Sequence, residues 1–180
     1  WQFWPHLWQA GGKILSDDQT TAAFSSPEGV QALEFLRGMA IDDKSVYLDQ
    51  TDTKFAQLFA ADRIGMMTSG PWQLYDLNEA KTKYGVTVLP GTNGDHQTVS
   101  GPDVWVLMDS GDANKDHWSF EFIKWLTDPA QDLRWNVAYG NLPLRPAEID
   151  SPEFKAQVKA LPGLDVMAAN SANAKNVRPT

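Results

Sequence analysis

Segments with helical periodicity alternate along this chain with three short apolar runs typical of β-strands, and this alternation restricts the fold more than any other feature. The runs are residues 64–68, 86–89 and 104–108. Ser69-Gly70-Pro71 and Pro90-Gly91 supply turns after the first two. The third run is apolar throughout, as expected of a strand covered on both faces. The sequence therefore predicts a helix-rich α/β structure in which helices flank a short sheet.

Capping signals predict where most of the helices begin. In Ser26-Pro27-Glu28 the serine accepts from free backbone N–H groups, the proline loses no hydrogen bond and the glutamate complements the helix dipole. Ala32, Phe35, Leu36 and Met39 then follow at the spacing of one buried helical face. Further helices are predicted at about residues 51–62, 71–83, 114–127, 129–139 and 152–160.

Composition excludes several classes of function. The chain has 180 residues, which favours one domain, and its net charge of −8 does not favour nucleic acid as a partner. It has no cysteine and three isolated histidines, so no metal site is expected. No nucleophile elbow, phosphate-binding loop or other catalytic motif is recognisable, and no cofactor is expected. The longest apolar runs are too short to span a membrane.

Several motifs, in a fixed order, carry a resemblance to a known family. The chain resembles the extracellular solute-binding proteins of ABC importers, in the branch typified by maltose-binding protein. The similarity covers about residues 4–150. Its motifs are Leu7 to Gly12, Phe24 to Leu36, Phe55 to Phe59, Ile64 to Met67, Gly70-Pro71-Trp72, Leu89-Pro90-Gly91, Ser100 to Met108, Phe120 to Leu126, Asp128 to Gln131 and Gly140 to Arg145.

The resemblance implies the fold of one lobe of a type II periplasmic binding protein, with a short mixed sheet between helices. The family's proteins are about twice as long, so residues 1–180 are expected to form a single lobe, the second of two. The sequence starts at Trp1, without an initiator Met or a signal peptide, as expected of a piece cut from a longer polypeptide. Residues 161–180 are expected to be weakly structured or close to the hinge. Pro102 departs from the family's usual glycine, which leaves that loop's conformation open.

The implied activity is binding and not catalysis. The two lobes would close on a carbohydrate, and the closed form would then dock on a membrane permease. The implied location is extracytoplasmic, in the periplasm or anchored at the surface of a Gram-positive cell. The protein is expected to act as a monomer.

Trp72 is the leading candidate for a ligand-binding residue. It follows an apolar run and a Gly-Pro turn at the start of a helix, so its indole can project from the end of the sheet into a crevice. A flat aromatic ring suits the apolar face of a pyranose. Gly70 and Ser69 would line the same turn and allow a ligand to approach the backbone closely.

Five further residues are candidates for the same site. Gly101 and Asp103 precede the run 104–108, where the carboxylate would accept hydroxyl donors or else cap a turn. Asn141 and Arg145 lie beyond Gly140, and Arg145 would donate to a ligand or form a surface ion pair. Trp4 precedes a proline near the start of the chain. The remaining tryptophans considered are predicted to be core residues: Trp8, Trp105, Trp118 and Trp125.

Two alternatives stay open at this point. The same fold could hold a phosphorylated polyol, which needs arginine and backbone N–H groups, or a polyamine, which needs several carboxylates. A glycan-acting enzyme is the alternative from another class. It would require two carboxylates facing each other in one cleft with shifted pKa values.

Overall fold

The computed structural model describes residues 2–47, 52–91, 94–101 and 103–176. The chain divides into two compact units. The first comprises Trp1–Ser69, Thr87–Gly101 and Ala169–Thr180, and the second Gly70–Val86 and Pro102–Ala168. Within the described residues no helix is long and apolar enough to cross a membrane.

The first unit contains the helices of the N-terminal third. These are α1 (Phe3–Gln9), α2 (Pro27–Arg37), a π-helical turn at Gly38–Asp42 and α3 (Asp52–Ala60). The predicted start of α2 is confirmed, since the Ser26 side chain accepts from the Gly29 backbone N–H. Leu7, Trp8 and Ala32 are buried apolar residues of the first unit, which confirms Trp8 as a core residue.

The buried glutamine Gln97 ties three separate parts of the first unit together. Its side-chain nitrogen donates to the carbonyl oxygen of Trp8 at 3.2 Å and its side-chain oxygen accepts from Asn176 at 2.7 Å. Its own carbonyl oxygen accepts from Gln9 at 3.2 Å. The segment around residue 97 is therefore held by side-chain bonds to α1 and to the C-terminal part of the chain.

The second unit contains the longer helices. They are α4 (Trp72–Glu79), α5 (Ala113–Leu126), α6 (Pro129–Tyr139), α7 (Pro146–Ile149), α8 (Pro152–Ala160) and α9 (Leu164–Asn170). A 3₁₀ turn follows at Ser171–Asn173. Asp128 and Ser151 cap α6 and α8 with proline at the first helical position, and both helices begin where predicted. Helix α4 ends four residues earlier than predicted.

The core of the second unit is built from the C-terminal helices. Its buried members are Leu74, Phe154, Leu161, Leu164 and Ala168. Leu164 and Ala168 lie four residues apart on α9, so one face of that helix is buried. Within the segment 161–180, expected to be weakly structured or close to the hinge, residues 164–170 form a helix with one buried face.

The predicted strands are not observed in the described residues. Residues 64–68, 86–89 and 104–108 have no regular secondary structure. An isolated antiparallel bridge joins Leu15 and Ala22. A strand requires a hydrogen-bonded neighbour, and apolar composition alone does not supply one. The described residues therefore show a helix-rich fold without the expected mixed sheet.

Three tryptophans predicted to be core residues are instead exposed. The exposed fractions are 59% for Trp105, 63% for Trp118 and 53% for Trp125. Helix α5 has no buried residue, although its apolar residues fall on one face. Helical spacing fixes which side chains share a face, but burial also needs a partner to cover that face, and none does so among the described residues.

Candidate functional site

The turn at Gly70-Pro71-Trp72 is the centre of the candidate site. Gly70 is buried, and its carbonyl oxygen accepts from the Gln73 backbone N–H at 3.1 Å as α4 begins. Trp72 is the first residue of α4, and 41% of its surface is exposed. A β-carbon added at Gly70 would lie 2.0 Å from Trp72 Cζ3. The indole therefore folds back over a glycine that has no side chain to obstruct it.

A second candidate segment lies beside this turn. Gly140 ends α6 with a φ of 72°, a left-handed conformation that glycine adopts without strain. A β-carbon placed on Gly140 would lie 3.7 Å from the Pro71 carbonyl oxygen. The structure thus brings Asn141, which follows Gly140 and is half-buried, close to the turn that carries Trp72. The two segments are about 70 residues apart in sequence.

Arg145 has two partners within the protein. Its guanidinium donates to Glu148 Oε1 at 3.1 Å and to the Thr127 carbonyl oxygen at 2.5 Å. The side chain thereby links the C-terminal end of α5 to α7. These bonds occupy guanidinium N–H groups that would otherwise be available to a ligand. The bond to Glu148 is an ion pair, which was the alternative expected for Arg145.

Two buried carboxylates lie behind Arg145. Asp132 accepts from Asn136 Nδ2 at 3.0 Å and from the Leu144 backbone N–H at 2.9 Å. Glu148 is buried, and its Oε2 has no hydrogen-bond partner. Burial raises the pKa of Glu148, and the Asp132 carboxylate adds to this effect against the attraction of Arg145.

Both carboxylates of this pair are engaged by groups of the protein itself. Asp132 and Glu148 are buried, Asp132 accepts from the Leu144 backbone N–H, and Glu148 Oε1 accepts from the Arg145 guanidinium. The bond from Leu144 to Asp132 holds the segment between α6 and α7 against α6.

The other predicted site residues differ in exposure. Asp103 is exposed in the second unit. In the first unit Ser69 is exposed and Gly101 is half-buried. Trp4 lies half-buried on α1, with its ring centre 6.2 Å from that of Trp8.

Sequence reasoning missed an aromatic groove on the second unit. It has a volume of about 410 Å³ and is lined by Trp105, Trp125, Trp135 and Tyr139, with Gln131 and Arg134 among its polar residues. The rings of Trp135 and Tyr139 lie 4.6 Å apart between centres. Their four-residue spacing on α6 is the sequence signal that could have indicated this pair.

The arrangement is suited to non-covalent binding. The partly exposed indole of Trp72 offers a flat apolar surface. No group of three or more histidine or acidic residues is placed to bind a metal ion in the part of the chain described here.

The sequence of this chain is similar to those of known binding proteins. A sequence model of bacterial extracellular solute-binding proteins matches residues 1–162. The sn-glycerol-3-phosphate-binding periplasmic protein UgpB of Yersinia enterocolitica is 25% identical over 156 residues, 83% of this chain and 35% of that protein. The maltotriose-binding protein of Pyrococcus abyssi is 25% identical over 160 residues, 82% of this chain and 33% of that protein.

Solved structures show the same fold. Maltose-bound MalE3 of T. maritima superposes with a TM-score of 0.73 at 22% identity, covering 99% of this chain and 46% of that structure. The chain spans about a third of the length of the curated relatives it matches.

Proposed function

The chain belongs to the family of bacterial extracellular solute-binding proteins, and from this premise we propose that it forms part of the binding component of a carbohydrate importer of the ABC type. The family consists of binding proteins and not of enzymes. Its name also implies a location outside the cytoplasm.

The observation that carries the proposal is the exposed Trp72 at the Gly70 turn. An indole held over a glycine is oriented before the ligand arrives, so less conformational freedom is lost on binding. The amide of Asn141, which follows Gly140 near this turn, would form hydrogen bonds with hydroxyl groups of the ligand. Gly101 and Asp103 are proposed to contribute further groups, together with Ser69 and Trp4.

A sugar is favoured by the relatives as well as by the aromatic site. Maltotriose and maltose are named for two of the three relatives described above. We infer a mono- or oligosaccharide for this chain, because aromatic stacking and a few polar groups match the two faces of a pyranose.

The whole protein is proposed to have two lobes, of which this chain is one. The ligand would be enclosed between them, and the closed form would deliver it to the permease subunits in the membrane. In that form the protein would be a monomer in the periplasm, or anchored at the surface of a Gram-positive cell. The mixed sheet expected for the lobe belongs to the same proposal.

A phosphorylated polyol is the second candidate ligand. UgpB is named for sn-glycerol 3-phosphate, and Arg145 could donate to a phosphate. The bonds of Arg145 to Glu148 and Thr127 argue against this ligand, because a phosphate would have to compete with both.

A thermal-shift screen of the two-lobed protein tests the proposal, since a ligand that binds only the folded state raises its stability. The panel is maltose, maltotriose, tagatose, sn-glycerol 3-phosphate and spermidine. Stabilisation by a saccharide alone supports the proposal. Stabilisation by sn-glycerol 3-phosphate or spermidine alone would replace the carbohydrate with that ligand.

A further inference from the structure

The segment between α6 and α7, residues 140–145, is held by hydrogen bonds at both ends. At its start the Gly140 backbone N–H donates to the Asn136 carbonyl oxygen at 2.9 Å. Near its end the Leu144 backbone N–H donates to Asp132 Oδ2 at 2.9 Å, across 12 residues of sequence. The position of the candidate ligand residue that follows Gly140 therefore depends on how α6 and its side chains hold the two ends of a short connection.

Asp132 is the residue of α6 that receives the far end of this segment. It is buried, with 6% of its surface exposed, and both of its side-chain oxygens are used. Oδ1 accepts from Asn136 Nδ2 at 3.0 Å, and Oδ2 accepts from the Leu144 N–H. Asp128 already caps α6, so helix capping does not explain this carboxylate. A bond from an N–H group to a charged acceptor is stronger than one between neutral groups, so Asp132 is a strong attachment point for the segment.

The C-terminal end of α6 is fixed to α8 by a second buried polar side chain. Gln157 Nε2 donates to the Asn136 carbonyl oxygen at 2.7 Å and to the Val137 carbonyl oxygen at 3.1 Å. The last carbonyl groups of a helix lack partners within the helix, and this side chain supplies a donor for them. The point from which the segment leaves α6 is therefore attached to α8, and the bond to Asp132 determines where the segment ends.

The segment also packs on the core to which α4 contributes. Leu142 packs against the cluster of buried residues that includes Leu74 of α4. A β-carbon placed on Gly140 would lie 3.7 Å from the Pro71 carbonyl oxygen. A change in the course of the segment would therefore move Asn141 relative to the start of α4. All of these contacts lie within the second unit, so they do not depend on what the remainder of a longer protein covers.

We propose that Asp132 is a positioning residue for ligand binding. Through the Leu144 N–H it holds the segment 140–145 in the conformation that presents Asn141 to a saccharide. It acts through the backbone of the segment and not by touching the ligand. A ligand-binding group that is held in place before the ligand arrives loses less conformational freedom on binding. The inference rests on the proposed function, because it gives Asn141 a part in saccharide binding.

Amide hydrogen exchange in the 180-residue chain tests the attachment without any ligand. Asp132→Ala should speed exchange of the Leu144 amide at least about tenfold, because a bond to a charged acceptor is lost. Asp132→Asn keeps an oxygen for this bond and should retain most of the protection. The Phe154 amide, which donates to Ser151 Oγ at 3.1 Å, is the control and should keep its exchange rate. Circular dichroism checks that both variants retain their helices.

A double-mutant cycle in the two-lobed protein tests whether Asp132 acts through Asn141, with affinity for maltotriose measured by calorimetry. Asp132→Ala and Asn141→Ala should each weaken binding about fivefold, as expected for the loss of one hydrogen bond to the ligand. The double variant should also be about fivefold weaker, and not about 25-fold, because both substitutions remove the same interaction. Val158→Ala shortens a side chain packed on the same core and is the control for a general loss of stability. Its affinity should equal that of the wild type.

Three results would overturn the inference and leave the proposed function intact. The first is a Leu144 amide that exchanges no faster in Asp132→Ala than in the wild type, or as fast in Asp132→Asn as in Asp132→Ala. The second is fast exchange at Leu144 in Asp132→Ala with unchanged affinity for maltotriose. The third is a double variant whose losses add to about 25-fold, since independent residues behave in that way. Failure of the wild-type protein to bind any saccharide of the panel is a different outcome, which would overturn the proposed function and this inference together.

Discussion

The indole of Trp72 lies directly over Gly70, so closely that a β-carbon on Gly70 would fall 2.0 Å from Cζ3 of the ring. Gly70 thus determines where the indole can lie. This relationship connects the leading candidate for ligand binding to the packing of the turn that presents it.

Gly70→Ala should displace the indole and lower the free energy of unfolding by about 1–2 kcal/mol, because the added methyl group overlaps the ring. Gly65→Ala is the matched control, since a β-carbon at Gly65 meets nothing within 4 Å. Its effect should stay within about 0.5 kcal/mol. Urea denaturation measures both, and equal effects would contradict the packing argument.

Trp72→Ala in the two-lobed protein should weaken saccharide binding by at least about 1 kcal/mol, or about fivefold in Kd, through lost aromatic contact. Trp118→Ala removes another exposed indole that no candidate site includes. Calorimetry should find its affinity unchanged. An unaltered Kd for Trp72→Ala would remove this residue from the site.

The 180-residue chain alone should bind saccharides weakly or not at all. Half of the proposed cleft wall belongs to the other lobe, so much of the ligand surface would remain in water. Calorimetry with maltose and maltotriose measures this. Micromolar affinity for the chain by itself would show that one lobe suffices.

Glu148 should make stability depend on pH. Its pKa is raised in the folded state, chiefly by burial, so the folded protein keeps the proton at pH values where the unfolded chain has released it. The stabilisation from this group is complete below its ordinary pKa and is lost as the pH rises through the raised value.

Glu148→Gln replaces the protonated acid with a neutral group of similar shape. Its stability relative to the wild type should therefore improve as the pH rises from about 4 to about 8. Glu153→Gln, at an exposed position of α8, is the control and should show no such trend. Urea denaturation across this pH range measures both, and parallel curves for wild type and Glu148→Gln would refute the assignment.

Gln97→Leu should destabilise the first unit by about 1–3 kcal/mol. The substitution leaves the Trp8 carbonyl oxygen and the Asn176 amide without their bonds to this side chain. Gln57→Leu changes an exposed glutamine of α3 and should cost little. Thermal unfolding measures both variants. Equal Tm values for Gln97→Leu and Gln57→Leu would disprove the role of Gln97.

Local sequence was sufficient to predict where α2, α6 and α8 begin. Ser26, Asp128 and Ser151 each precede a proline and cap a helix, because capping involves only atoms a few residues apart. The Gly70-Pro71-Trp72 turn could be identified for the same reason. The family resemblance also rested on such short motifs.

Contacts between distant segments could not be predicted in this way. Gly140 meets Pro71 across about 70 residues, and Arg145 bonds to the carbonyl oxygen of Thr127 across 18. Nothing in the local sequence of either residue specifies its partner. The neighbours of Asn141 and the partners of Arg145 were therefore known only from the structure.

Burial was likewise decided by tertiary structure. Trp8 and Trp125 both lie on helices with apolar neighbours, yet Trp8 is 5% exposed and Trp125 is 53% exposed. The sequence determined where helices begin and which side chains share a face, since these depend on backbone bonds within a few residues. Only the tertiary structure decided which faces are covered, because covering a face requires a second surface that the local sequence does not encode.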